Sequence, residues 1–239
     1  MPESQSKIYK STSDFDGDDI RSMYAGFHSP IAELDCGKEC APHNPSGKPF
    51  CCDICHAIPA AYRSEWNYLE RSTDLWHTWR GDECEETTQA DVARLKADIP
   101  KNMVLLACLG PSQCQRDFRA LSCRQFPFFP YVTSVYRFIG LAYEWEFEDK
   151  CWVISNLSRV TQKYREEFIQ TYDKIFALFQ SEFDQYAYHS ERLRDYFARQ
   201  RRRFPLLHRN GRTYLVSPQS EQLQRVDADH FPRFGVYRD

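Results

Sequence analysis

Eight of the ten cysteines fall in two short blocks, and that spacing limits what the chain can be. The first block runs Cys36-x3-Cys40-x10-Cys51-Cys52-x2-Cys55, the second Cys108-x5-Cys114-x8-Cys123. A thiolate-bound metal, with bonds of about 2.3 Å, needs its sulfurs roughly 3.5–4 Å apart. Cys52 and Cys55 meet that need within one turn. Adjacent residues point apart in an extended chain, so Cys51 and Cys52 are expected to serve different partners: one in the site, the other in a second site or in the core. A centre drawing on both blocks would clip the chain across more than fifty residues and add folding free energy. Cys84, in the acidic stretch GDECEE, and Cys151, before Trp152, read equally well as small buried hydrophobes.

Thiols this dense are either a disulfide framework or metal ligands. At 239 residues and 42% hydrophobic, the chain can bury a core without disulfides. Its first residues, MPESQSKIYKSTSDFDGDD, lack the basic-then-apolar pattern of a secretory signal. The expectation is a cytoplasmic protein whose clustered thiols hold metal. The formal net charge of -3 gives no whole-chain attraction to nucleic acid, and no run approaches the ~18 apolar residues of a membrane span.

The predicted fold class is mainly α within α+β: a helical domain with short hairpins organised around the cysteine site. Residues 1–25 read as a flexible acidic tail, 26–155 as the cysteine-cluster domain, and 156–239 as a helical extension with a short hairpin, packed on the same core. The Asp14, Asp16, Asp18 series resembles a calcium loop, but Gly17 is misplaced and Ala25 stands where glutamate is needed. Residues 57–82 read as helical. TTQADVARLKADIP reads as a capped helix ending before Pro100. YEWEF and CWVIS, joined by EDK, read as a hairpin. Val160, Tyr164, Phe168, Tyr172, Ile175, Phe176 and Phe179 recur at helical spacing and read as core. Ser190 reads as the cap of a further helix, and HRNGRTYLV as an Asn-Gly hairpin.

The second block, CLGPSQCQRDFRALSCRQFPF, resembles the closing motif of the YkgJ-type cysteine-cluster family of zinc- or iron-chelating domains. Cys108, Cys114, Cys123, Arg124, Phe126 and Pro127 match it. The first block, CGKECAPHNPSGKPFCC, resembles that family's opening motif and that of the related flagellin lysine-N-methylases, through Cys36, Gly37, Cys40, Cys51 and Cys52. The resemblance spans roughly residues 33–155. It departs from the pattern in the long gap after Cys40, in the extra Cys55, and in Ala120-Leu121-Ser122 before the last cysteine. It implies a bound metal, and the methylating relatives imply an iron–sulfur cluster. Cys151 aligns with a cysteine that some members carry after the motif.

The expected metal ligands are therefore Cys36, Cys40, Cys51, Cys52, Cys55, Cys108, Cys114 and Cys123. An iron–sulfur cluster, of 4Fe-4S type, is preferred over zinc, because seven or more clustered thiols exceed what one structural zinc needs. Metal-free thiol redox chemistry is the third reading. His43 and His56 lie close enough in sequence to add a ligand. Arg124, with Arg116 and Arg119, would offset thiolate charge or bind the cofactor. Phe126, Phe128, Phe129 and Tyr131 would wall the centre from water. The basic stretch Arg192–Arg203 would dock an acidic partner or remain a solvated helix end. With nine glycines in all and no phosphate loop, a Rossmann-type nucleotide site is not expected. Three functions stay open: a cluster-dependent modifying or redox enzyme, a metal-stabilised binding module, and a metal-handling protein.

Overall fold

The computed structural model describes residues 15–85 and 87–238. The first element is a helix, α1 (Gly17–Gly26), where a tail was expected. Its acidic residues are its cap. The Asp16 carboxylate accepts the N–H groups of Asp18 and Asp19, while Asp19 reaches back to Asp16. Ile20 and Tyr24, one turn apart, are buried and anchor it. Residues 1–14 of the expected tail, Asp14 among them, lie outside the described residues.

Next come α2 (Cys36–Cys40), β1 (Ala60–Tyr62), α3 (Arg63–Ser72), β2 (Trp76–Thr78), α4 (Gln89–Asp98) and β3 (Met103–Cys108). The segment 57–82, read as helical, thus holds one helix flanked by two three-residue strands. β3 pairs antiparallel with both short strands, Ala60 opposite Leu105 and Trp76 opposite Cys108. This places the end of β3 beside Trp76. α4 is the expected capped helix, with the Thr88 hydroxyl accepting the Asp91 N–H.

α5 (Leu121–Gln125) leads into β4 (Phe128–Val132) and β5 (Phe138–Tyr143). These two form the hairpin that the sequence reading put later. Trp145–Phe147 is a 3-10 turn and Trp152–Ser155 a short helix, α6. Two long helices follow, α7 (Gln162–Leu178) and α8 (Gln180–Arg199), then β6 (Phe204–His208), β7 (Thr213–Val216) and β8 (Leu223–Arg225). The five strands from β4 to β8 form an antiparallel sheet in sequence order. Pro130 is tolerated because β4 is an edge strand. α8 packs on that strand, and Ser190 accepts the Val132 N–H at 2.9 Å. Ser190 thus lies inside α8 and ties it to the sheet, where a helix cap was expected.

The stripe on α7 is core, as its spacing predicts: Tyr164, Phe168, Tyr172 and Ile175 are buried. They share one apolar cluster with Phe27, Phe128, Phe197 and Phe234, so the C-terminal elements pack on the same core as the cysteine region. The Asn210-Gly211 turn joins β6 to β7, with Gly211 at φ +83°. A second, smaller cluster around Ile20, Leu69, Trp76 and Leu106 lies between α1, α3 and the three-stranded sheet. Among the described residues, no helix is long and apolar enough to cross a membrane.

Candidate metal centre

Five local devices bring the cysteines together. Asp35 caps α2 by accepting the Gly37 N–H at 3.1 Å, and the i, i+4 spacing puts Cys36 and Cys40 on one face. Gly37 lets Pro49 come close: a Cβ there would stand 3.0 Å from the proline Cγ. The 3-10 turn Phe50–Cys52 is thereby held against α2. The long insert after Cys40 is folded inward by Asp53, which is 5% exposed. Its carboxylate accepts from Ser46 Oγ at 2.7 Å, from Asn44 Nδ2 at 2.9 Å and from the Cys55 N–H at 3.2 Å.

The second block is fixed from the other side. Cys108 ends β3, and the Trp76 indole donates to the Phe118 carbonyl at 2.8 Å, holding the loop that carries Cys114. The start of α5, and with it Cys123, is held by Glu65. This buried carboxylate accepts from Tyr24 Oη at 2.6 Å, from the Leu121 N–H at 2.7 Å and from the Tyr62 N–H at 3.3 Å. Burial raises the pKa of Glu65 even against these three donors.

The result is one cavity of about 790 Å³ lined by Cys36, Cys40, Cys51, Cys52, Cys108, Cys114, Cys123 and Cys151. These are the eight cysteines that carry no disulfide. Seven of the eight expected ligands are therefore on it. Cys55 is the exception: it is bonded to Cys84, 29 residues away, and does not line the cavity. The carboxylate of Asp53 turns the chain at Cys55, and the thiol meets the loop after β2. Cys151, at the start of α6, takes the eighth place on the cavity. Cys51 and Cys52 do not point apart. Their sulfurs stand 3.9 Å from each other, because a 3-10 turn rather than an extended chain carries them.

Arg124, expected to offset thiolate charge or bind the cofactor, lines the cavity, but its guanidinium donors are committed to the main chain. A guanidinium has five N–H donors, and here all five go to main-chain carbonyls. Nε donates to Arg119 at 2.8 Å, Nη1 to Tyr24 at 3.2 Å and Phe27 at 2.6 Å, and Nη2 to Arg116 at 3.2 Å and Asp117 at 2.8 Å. Its role is to bind the end of α1 to the loop that carries Cys114. Arg119 is the guanidinium that meets a thiol, donating Nε to Cys114 Sγ at 3.1 Å. Burial alone would lower the Arg119 pKa. The bond to Cys114 and the charges of Cys114, Cys52 and Cys123 outweigh it, and the pKa is raised.

Six of the thiols are pushed toward the neutral form. Burial, with Cys40 and Asp35 adding, pushes Cys36 up to about 11. Burial likewise pushes Cys151 up to about 12, with Cys36 and Cys40 among the neighbours that add to it. Cys123, Cys108 and Cys40 are raised for the same first reason. Cys52 is the reverse case. It accepts a hydrogen bond from Cys51 and feels the Arg119 charge, so its pKa is lowered and that of Cys51 is raised. A crowd of buried thiols resists ionisation unless a cation joins it.

Other expected participants stand elsewhere. His43 packs on Tyr237 and His56 on Phe50, and neither lines the cavity. Of the expected aromatic wall, Phe126 borders the cavity, whereas Phe128, Phe129 and Tyr131 belong to the large core. Trp76 and Trp152 complete the wall instead. In the basic stretch, Arg194 pairs with Glu221 at 3.1 Å and Arg202 with Glu148 at 2.9 Å. Two of its six arginines are thus paired within the fold.

Among the described residues, no group of three or more histidine, cysteine or acidic side chains stands close enough together to hold a single ion. No family model, curated protein or solved structure matches the chain.

Proposed function

We propose that this chain is a cysteine-ligated metal protein of the YkgJ-like kind, and that its cavity takes an iron–sulfur group rather than a lone zinc ion. One observation carries the proposal: eight thiols from four separate segments line the same cavity, while the two remaining cysteines are paired with each other. A single tetrahedral ion needs sulfurs roughly 3.5–4 Å apart. Cys51 and Cys52 meet that spacing, but among the described residues no three ligands stand together as one ion requires, which suits a group of several metal atoms. The donor chemistry is all soft sulfur, as such clusters prefer. When bound, the group would supply electron transfer or Lewis-acid chemistry. The chain's own residues would hold it, shield it with Trp76, Trp152 and Phe126, and offset thiolate charge through Arg119. Leu34 and Leu109, both well exposed, edge the same cavity and leave an apolar approach for a protein or small-molecule substrate. That approach favours a redox or protein-modifying enzyme over a sealed structural site.

The test is anaerobic purification followed by an absorption spectrum with iron, sulfide and zinc analysis. A brown protein with iron and acid-labile sulfide is expected. A colourless protein with stoichiometric zinc would reject the iron–sulfur assignment, and a metal-free protein would reject the whole reading.

A further inference from the structure

We propose that the cysteine cavity admits an anionic small molecule, a carboxylate or phosphate with an apolar body, whose charged end is held by Arg119, Arg116, Lys38 and Lys48. This rests on that cavity being the working site and adds the class of molecule that enters it.

Charge is unevenly distributed on the cavity wall. Five cations line it, Lys38, Lys48, Arg116, Arg119 and Arg124, against two carboxylates, Glu33 and Asp35. The chain as a whole carries a formal charge of -3, so the positive excess is local. Arg124 is committed to main-chain carbonyls, and Asp35 is the cap of α2. The other four cations form no ion pair among the described residues. They come from both cysteine blocks: Lys38 from α2, Lys48 from the insert after it, Arg116 and Arg119 from the loop that carries Cys114.

Direct contact with sulfur accounts for only one of the four. Arg119 bonds Cys114 through Nε, and among the described residues no other cation bonds a thiol. The Nη groups of Arg119 have no hydrogen-bond partner there, and the residue is only half-buried. The unused edge of a guanidinium matches two oxygens of a carboxylate or phosphate. Ser122 stands on the same wall beside Cys123, and its hydroxyl oxygen is buried with no partner among the described residues. A buried polar group of that kind is uncommon and calls for a partner.

Much of the remaining wall is apolar. Leu34 and Leu109 are 41% and 49% exposed, and Ile54, Ile58 and Pro59 also line the cavity. Its volume of about 790 Å³ lies within the roughly 300–1,000 Å³ of small-molecule sites. Such a wall selects an amphipathic anion over a neutral molecule with the same body, because only the anion answers the unpaired cations.

The experiment is isothermal titration calorimetry on the anaerobically purified full chain, with metal content measured on the same sample. The probes are octanoate and octyl phosphate, with octanol and octylammonium as neutral and cationic controls. Saturable binding of at least one anion is expected, roughly ten-fold or more tighter than octanol, with no binding of octylammonium. Arg119→Gln should weaken that anion roughly ten-fold, and Arg119→Lys should restore part of the loss. Lys38→Gln with Lys48→Gln should weaken it roughly three-fold or more. Arg192→Gln, exposed on α8, should leave it unchanged. Octanol bound as tightly as both anions overturns the inference, and so does an affinity unchanged in both the Arg119→Gln and the lysine variants. Should a variant fail to fold, the comparison of anion with octanol on the wild-type chain decides. A chain that holds metal and binds neither anion overturns this inference alone. A chain that binds an anion and takes up no metal keeps it and overturns the metal reading, and a chain that takes neither overturns both.

Discussion

Replacing Arg124 separates a structural clamp from a cofactor ligand. Arg124→Lys keeps the charge but offers three donors in place of five. At least two of the five carbonyl bonds are lost. Hydrogen bonds from a charged group contribute about 1.5–3 kcal/mol each, so the expected loss is about 3–6 kcal/mol. Some freed carbonyls will find water, which favours the lower half of that range. The side chain also gives up its place over the Tyr24 ring, 4.1 Å from its centroid, which adds a smaller loss. Against a total stability of about 5–15 kcal/mol, that is a large fraction. The assay is urea unfolding followed by tryptophan fluorescence, with metal content measured on the folded fraction. A strongly lowered midpoint with unchanged metal per folded chain is expected. An unchanged midpoint with metal lost would refute the reasoning and return Arg124 to the role that its neighbourhood in sequence suggested.

Arg119→Gln removes the donor to Cys114 and one positive charge from the cavity. It should shift the loaded protein to a lower reduction potential in a redox titration, with little change in the urea midpoint. Cys55→Ser with Cys84→Ser opens a bridge across 29 residues and should cost about 3–4 kcal/mol of stability, with metal content unchanged. Metal loss on that change would mean that Cys55 belongs with the ligands after all.

Features written in local periodicity were legible before the structure. Thr88 announces α4, the four-residue stripe from Tyr164 announces α7, and Asn210-Gly211 announces the β6–β7 turn. Each depends on neighbours within a few residues. The alternation in YEWEF misled because a 3-10 turn can bury Trp145 without forming a strand. The true strand, Phe128–Val132, shows no alternation because both its faces are covered. The acid-rich start hid a helix whose acids are caps and whose only buried residues are Ile20 and Tyr24. In the site, the two cysteine blocks were legible because their spacing is dense. The removal of Cys55 was not, since a partner 29 residues away leaves no local mark. Cys151 was visible only as a lone thiol, and α2–α6 packing is what brings it to the cavity. Arg124 and Arg119 are indistinguishable in sequence. Only the carbonyls around the first and the sulfur beside the second assign their roles.

The most direct measurement is cysteine alkylation mapped by mass spectrometry, on the loaded protein and again after the metal is stripped. Cys36, Cys40, Cys51, Cys52, Cys108, Cys114, Cys123 and Cys151 should all be shielded when loaded and all become reactive after stripping, while Cys55 and Cys84 stay unlabelled until reductant is added. Shielding confined to one block, with the other labelled equally in both states, would contradict the account.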